Sequence, residues 1–158
     1  VENIKTQYAF SEILLLSGIK KKSGEALIKI LKKYLSKGQP QYNQQSITNR
    51  SFEFIAAELV REQLFAHLGD EIPYTSAVLI EGIDESPKII TIKVMILVDK
   101  ASHKGIVIGK KGLTLKKIIS DARIGIQQRV SKKVFLQVWV KEQPDWADST
   151  TNLRLMGF

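Results

Sequence analysis

Ile106-Val107-Ile108-Gly109-Lys110-Lys111-Gly112 is the stretch on which the reading of this chain turns. Three apolar residues run into a Gly-x-x-Gly spacing. Behind it, Leu115, Ile118, Ile119, Ala122 and Ile126 recur at the period of one helix face. The pattern predicts two helices joined by a turn with no side chain at either end. Lacking Cβ atoms, both glycines let another backbone lie against the main chain. The amides that open the following helix point outward, at the positive end of its dipole. Lys110 and Lys111 add charge between the glycines, so the turn suits a polyanionic backbone. Ten glycines in the chain make the spacing commonplace by itself, and the surrounding elements must carry the reading.

Working outward, a helix is expected over about 51–68, with Ile55, Ala56, Leu59, Val60 and Leu64 as its apolar stripe. Strands follow at about 75–83 and 88–98, separated by the turn-rich Asp84-Glu85-Ser86-Pro87. Ile90, Ile92, Val94, Ile96 and Val98 line one face of the second strand. A short helical stretch near 103–108 leads to the glycine turn, the longer helix follows, and Val134, Leu136, Val138 and Val140 alternate through a third strand at 134–141. A last helix is expected from Asp145, capped as Asp145-x-x-Asp148, to about Gly157, with Trp146 as its clamp. Helix, two strands, helix, turn, helix, strand is the order of a type II KH fold, an α/β (α+β) architecture. KH modules clamp about four nucleotides at such a turn, which predicts single-stranded RNA as the ligand. Gly109, Lys110, Lys111 and Gly112 are the expected phosphate clamp, flanked by Lys104, Lys116 and Lys117. At least one of Ile106, Val107 and Ile108 must be core. Val107 or Ile108 is expected to border the groove, with the 88–98 strand as its other wall. Phe135 and Trp139 share a strand face and are expected to serve core or helix packing. The plainer alternative is a solvated basic loop joining two helices.

Upstream, Glu12-Ile13-Leu14-Leu15-Leu16-Ser17 reads as a strand buried on both faces. A helix from Ser23 carries Leu27, Leu31, Tyr34 and Leu35 on one side and Lys29, Lys32 and Lys33 on the other, and Gly38 and Pro40 stop it. One strand and one helix cannot cover a strand apolar on both faces, so further α/β structure is expected ahead of Val1. The start, Val1-Glu2-Asn3, has neither an initiator Met nor a signal layout and reads as an internal cut. The expected division is a strand-helix unit over 1–38, a linker over 39–50 and the RNA-binding domain over 51–158. With 24 Lys+Arg against 16 Asp+Glu, the chain carries +8 at pH 7, which favours nucleic acid or an anionic membrane as partner. Its lack of Cys excludes a disulfide scaffold and cysteine-ligated metal. No apolar run approaches the roughly 20 residues a bilayer requires. His67 and His103 stand without metal-like ligand spacing, no nucleophile elbow occurs, and no Gly-x-x-x-x-Gly-Lys-[Ser/Thr] loop is present. Neither a catalytic residue nor a metal site is expected, and the chain cannot by itself hydrolyse a nucleoside triphosphate.

Four stretches carry a resemblance: Phe54-Ile55-Ala56-Ala57-Glu58-Leu59-Val60-Arg61-Glu62, Glu71-Ile72-Pro73-Tyr74, Val107-Ile108-Gly109-Lys110-Lys111-Gly112, and Val138-Trp139-Val140-Lys141 through Trp146-Ala147-Asp148. In this order and spacing the chain resembles the C-terminal part of the Era family, ribosome-associated GTPases with a KH domain after the G domain. The likeness extends to Leu14-Leu15-Leu16-Ser17 and its helix, which are similar to the last strand and helix of that G domain. It implies a chaperone-like role in assembling the small ribosomal (30S) subunit, with the KH groove holding the single-stranded 3′ end of small-subunit ribosomal RNA. GTP and Mg²⁺ are implied for the full-length protein, with no cofactor in this chain, and GTP binding and hydrolysis would switch the affinity for RNA. Ser17 then corresponds to the serine of the guanine-facing loop. The family usually has Ser-Ala-Leu-Lys-Gly where this chain has Ser17-Gly18-Ile19-Lys20-Lys21, and Asp and Pro where it has Asn49 and Ser51. A cytoplasmic location is implied, with peripheral association at the inner membrane. Two competing readings are a KH-bearing structural ribosomal protein without a linked GTPase, and a peripheral membrane protein using the lysine-rich helix.

Overall fold

The computed structural model describes residues 2–5, 7–39, 48–69, 71–148 and 150. The chain divides between residues 47 and 48 into two compact units. Residues 40–47 of the expected linker lie outside the described residues.

In the first unit, the short α1 (Glu2–Lys5) is followed by α2 (Lys21–Tyr34). Residues 12–17, where a strand is expected, form no hydrogen-bonded strand among the described residues. Leu15 is 82% exposed, with Leu14 and Leu16 also exposed. The physical reason is pairing: a strand buried on both faces needs neighbouring strands for its backbone hydrogen bonds, and no other strand lies in this unit among the described residues.

In the second unit, α3 (Phe52–His67) begins where Ser51 Oγ accepts the Phe54 N–H at 3.2 Å, satisfying one of the free amides of the first turn. Ala56, Val60 and Leu64, spaced four apart, are its buried line. A tight 3-10 turn (Ile72–Thr75) leads into β1 (Ser76–Glu85), which pairs antiparallel with β2 (Ile89–Val98). Ser86 closes the hairpin by donating its hydroxyl to the Ile89 carbonyl at 2.9 Å and accepting the Ile89 N–H at 3.2 Å. From β2 the chain passes through α4 (Ala101–Ile108) and α5 (Leu113–Gln127) into β3 (Lys133–Glu142), which pairs with β2 in parallel. The sheet order is β1-β2-β3, and the element order is the one expected from the sequence.

The core lies on one face of this sheet. Ile90, Ile92, Val94, Ile96 and Val98 of β2 are buried against the α3 line and against Ile118, Ala122 and Ile126 of α5. At Gly125 the two helices come close, with Leu59 Cδ2 at 3.5 Å from where a Cβ would stand. His67 Nε2 meets Asp121 Oδ2 at 2.7 Å and ties α3 to α5. Sequence spacing offers His67 no carboxylate partner, because Asp121 lies 54 residues away.

The other face is covered only in part. Trp146 and Met95 pack on the cluster of Ala77, Leu79 and Leu97, and the Trp146 Nε1–H donates to the Thr75 carbonyl at 3.0 Å. Its expected role as a clamp on a last helix falls outside the described residues, since 149 and 151–158 are not described. Within them, Trp146–Asp148 is a 3-10 turn. Phe135 and Trp139, expected to pack in the core or on helices, are instead 50% and 46% exposed. They alternate with the buried Val134 and Leu136, so they project from the sheet face opposite α3 and α5, on which no α-helix packs among the described residues.

Leu64→Ala removes the largest side chain of the α3 line from a fully buried position, and should cost about 2–5 kcal/mol of stability by urea denaturation. Ser51→Ala, which loses only the cap, should cost roughly 1 kcal/mol.

Candidate nucleic-acid interface

The glycine turn is built by two helix ends. α4 stops where Gly109 N–H donates to the Gly105 carbonyl at 2.9 Å, and Gly109 then takes φ 72°, ψ 176°. That backbone region is open essentially to glycine alone. A Cβ at 109 would also overlap Thr114 Oγ1 and lie 2.6 Å from Thr114 Cβ, so the position demands glycine twice over. Gly112 adopts the left-handed conformation at φ 75°, ψ 11°, with open space around it. Its requirement is conformational only. Lys111 shares that left-handed geometry at φ 53°, and Gly112 N–H donates to the Gly109 carbonyl at 3.1 Å, closing the turn.

α5 starts directly from Gly112. No side chain caps it and its first turn holds no acidic residue. The Leu113 N–H is already taken by the Lys110 carbonyl, while the positive end of a 15-residue helix stays open to an anion. Lys104, Lys110, Lys111, Lys116 and Lys117 are all exposed, and none forms an ion pair among the described residues. The only carboxylate on α5, Asp121, is the one held by His67. Chemically, the arrangement offers a positive helix end and exposed ammonium groups to an anion, with no free acid on either helix to repel it.

The apolar part of the expected site divides. Val107 is fully buried in the core and offers no surface, which removes it from the residues expected to meet bases. A two-turn helix must anchor to the sheet through its inward side chains, and Val107 is that anchor for α4. Ile106 is 50% exposed and Ile108 half-buried. Leu113, absent from the sequence-based site, is 64% exposed at the first position of α5. A signal for it exists: Leu113 falls out of phase with the Ile118, Ala122, Ile126 line, so it cannot share their buried face. The wall opposite the turn also needs correcting. β2 is the central strand, flanked on both sides, whereas α4 and α5 pack against β3, the edge strand.

Ser17 belongs to the first unit. Its N–H donates to Ser23 Oγ at 3.2 Å and its carbonyl accepts from Lys20 N–H at 3.2 Å, forming a turn beside a shallow recess lined by Leu16, Gly18, Lys20 and Leu27. Among the described residues, no cluster of His, Cys, Asp or Glu could hold a metal ion, and no helix is long and apolar enough to cross a membrane.

Gly109→Ala should distort the turn and cost about 1–3 kcal/mol, because it combines a glycine-only conformation with the Thr114 overlap. Gly112→Ala should cost roughly 1–2 kcal/mol for the left-handed backbone alone. Urea unfolding of the two variants measures the difference, and equal effects would contradict the overlap at Thr114.

Residues 71–147 match the KH domain family. Across the chain, similar proteins carry the name GTPase Era. The one from Neisseria meningitidis serogroup C (strain FAM18) is 44% identical over 131 residues, covering 83% of this chain and 43% of that protein. The one from Clostridium kluyveri is 36% identical over 159 residues, covering 100% of this chain and 54% of the relative. Two solved structures align at 34% identity and a TM-score of 0.86, each over 99% of this chain and 53% of its own. One is a point variant of Era from Aquifex aeolicus bound to GDP·AlF4⁻, and the other is Era in complex with MgGDPNP and nucleotides 1506–1542 of 16S ribosomal RNA. The chain thus spans about half the length of the relatives it matches. Glycine turn, parallel crossover and whole-chain similarity agree, and the chain belongs to the Era family as the part that carries its KH domain.

Proposed function

We propose that this chain is the RNA-holding part of an Era-like GTPase, which grips the single-stranded 3′ end of small-subunit ribosomal RNA and assists assembly of the 30S subunit. The observation that carries this reading is the turn itself: two glycines at positive φ enclosing two exposed lysines at the uncapped start of α5. A sugar-phosphate backbone lies on Gly109 and Gly112, with its phosphates toward the α5 amides and the Lys110 and Lys111 ammonium groups. Ile106, Ile108 and Leu113 give the bases an apolar surface, and the edge of β3 bounds the groove on its other side. The neighbour solved with a 16S ribosomal RNA fragment supports RNA of this class as the ligand.

Guanine nucleotide and Mg²⁺ belong, on this reading, to a G domain for which residues 1–38 are the closing segment, with Ser17 near the guanine base. The two nucleotide-bound neighbours support that assignment. GTP binding there sets the affinity of the RNA site, and hydrolysis permits release. The protein works in the cytoplasm, with peripheral contact at the inner membrane.

Lys110→Asp combined with Lys111→Asp should weaken binding of an unstructured RNA by more than about tenfold and reduce the salt slope by about 1.4, the change expected when two phosphates of a single strand are no longer neutralised. Aspartate tolerates the left-handed backbone at 111, so the fold should survive, with circular dichroism as the check. Fluorescence anisotropy reads the affinity, and an unchanged value would rule the clamp out. Unstructured RNA should also outcompete a duplex of equal length, and the reverse order would count against a KH groove.

A further inference from the structure

The two large aromatic side chains of β3 stand where the core does not use them. Phe135 and Trp139 lie four residues apart on the sheet face turned away from α3 and α5, each about half exposed. Along that face they alternate with Lys133, Gln137 and Lys141, giving cation, ring, amide, ring, cation in strand order. The β2 register places Thr91 beside Phe135 and Met95 beside Trp139, and Ile89, itself 39% exposed, extends the apolar floor next to Lys133. On the β1 side Trp146 closes over Ala77, Leu79 and Leu97 and bounds the open area. Lys133 and Lys141 form no ion pair among the described residues, while Asp84, on β1 beyond Thr91, is held by Lys93 Nζ at 2.8 Å.

We propose that this face of β3 is a second contact for single-stranded nucleic acid, at which two bases stack on Phe135 and Trp139 while Lys133 and Lys141 meet the phosphates at either end. Exposed rings interleaved with lysines are what an unpaired strand needs, because every base has a π-face and every linkage a negative charge. The rings are about 13 Å apart along the strand, which leaves room for a nucleotide between them over Gln137, whose amide both donates and accepts. A polyanion is favoured over a protein partner by the charge, since the chain carries +8 and no acidic residue stands among Lys133, Phe135, Gln137, Trp139 and Lys141. The inference rests on the RNA-binding reading above and extends it from the helix side of the sheet to the opposite side. It applies to a strand longer than the roughly four nucleotides gripped at the turn.

The test uses the whole 158-residue chain, in which Trp139 and Trp146 are the only tryptophans. With Lys110→Asp and Lys111→Asp in place to silence the turn, an oligouridylate of about 12 nucleotides, three times the length a KH groove holds, should quench tryptophan fluorescence. The quenching should vanish with Trp139→Phe, which keeps a ring and loses the indole. In the otherwise unaltered chain, Phe135→Ala with Trp139→Ala should weaken the long oligonucleotide roughly tenfold or more and leave a tetranucleotide unaffected. Phe135→Tyr with Trp139→Tyr should retain the affinity. Absence of quenching at Trp139, or alanine variants that bind the long strand as well as the parent, overturns the proposal even where tetranucleotide binding shows the turn reading to be sound. A Tyr pair that loses as much as the Ala pair, with circular dichroism unchanged, overturns stacking as the cause. Failure of the tetranucleotide alone, with Trp139 still quenched, removes the turn reading and supports this one.

Discussion

Because β2 and β3 run parallel, the chain leaving Val98 cannot turn straight back into Lys133. A parallel pair needs a crossover of a dozen residues or more, and here the crossover is α4, the glycine turn and α5. The turn is therefore a consequence of the sheet: the crossover must reverse direction somewhere, and it does so between two helices whose other faces are fixed to the core. Val107 fastens α4, while Ile118, Ala122 and Ile126 fasten α5. Between these anchors the backbone has the four residues of the turn in which to reorient, which is why Gly109, Lys111 and Gly112 all sit at positive φ. Parallel pairing, glycine conformation and an uncapped helix start are links of one chain of cause.

Electrostatics follows the same geometry. The chain carries +8, but an excess of lysine does not by itself make a site, since most surface charges are solvated and screened. What distinguishes the turn is the lack of neutralising carboxylates on the helices that form it. Glu58 is engaged by Arg61, Glu85 by Lys132 and Asp84 by Lys93, all away from the turn in sequence. Asp121 faces His67 from α5 itself. That leaves the lysines around 104–117 as a field of one sign, placed where the helix dipole of α5 has the same sign.

Much of this is legible in the residues, and the exceptions have identifiable causes. The buried lines of α3, β2 and α5 follow from period alone, since each face meets a partner within the chain. The strand expected at Leu14-Leu15-Leu16 fails because apolar content signals burial without supplying the neighbour that would bury it. Phe135 and Trp139 depart from expectation for the complementary reason: alternation says that two faces differ but not which of them a helix covers, and ring size points to the wrong one. Val107 cannot be separated from Ile106 and Ile108 without knowing which side of α4 meets the sheet. Leu113 can be separated, because its phase relative to Ile118 excludes it from the core. The His67 pairing with Asp121 has no sequence signature, being a product of how α3 and α5 cross.

The rigidity of the turn decides how its charges act. A lysine on a mobile loop loses backbone as well as side-chain freedom when it meets a phosphate, and that ordering cost subtracts from affinity. Here the backbone of Lys110 and Lys111 is already fixed by hydrogen bonds from Gly109 N–H to Gly105 and from Gly112 N–H to Gly109, and by helices pinned at both ends. Only the side chains remain to be ordered. Glycine, the most flexible residue in an unfolded chain, is used at 109 because nothing else fits beside Thr114, so the position that looks most permissive in the sequence is among the most constrained in the fold. The start of α5 thus presents a positive helix end on a backbone already in place, with only the lysine side chains left to adapt to an anion.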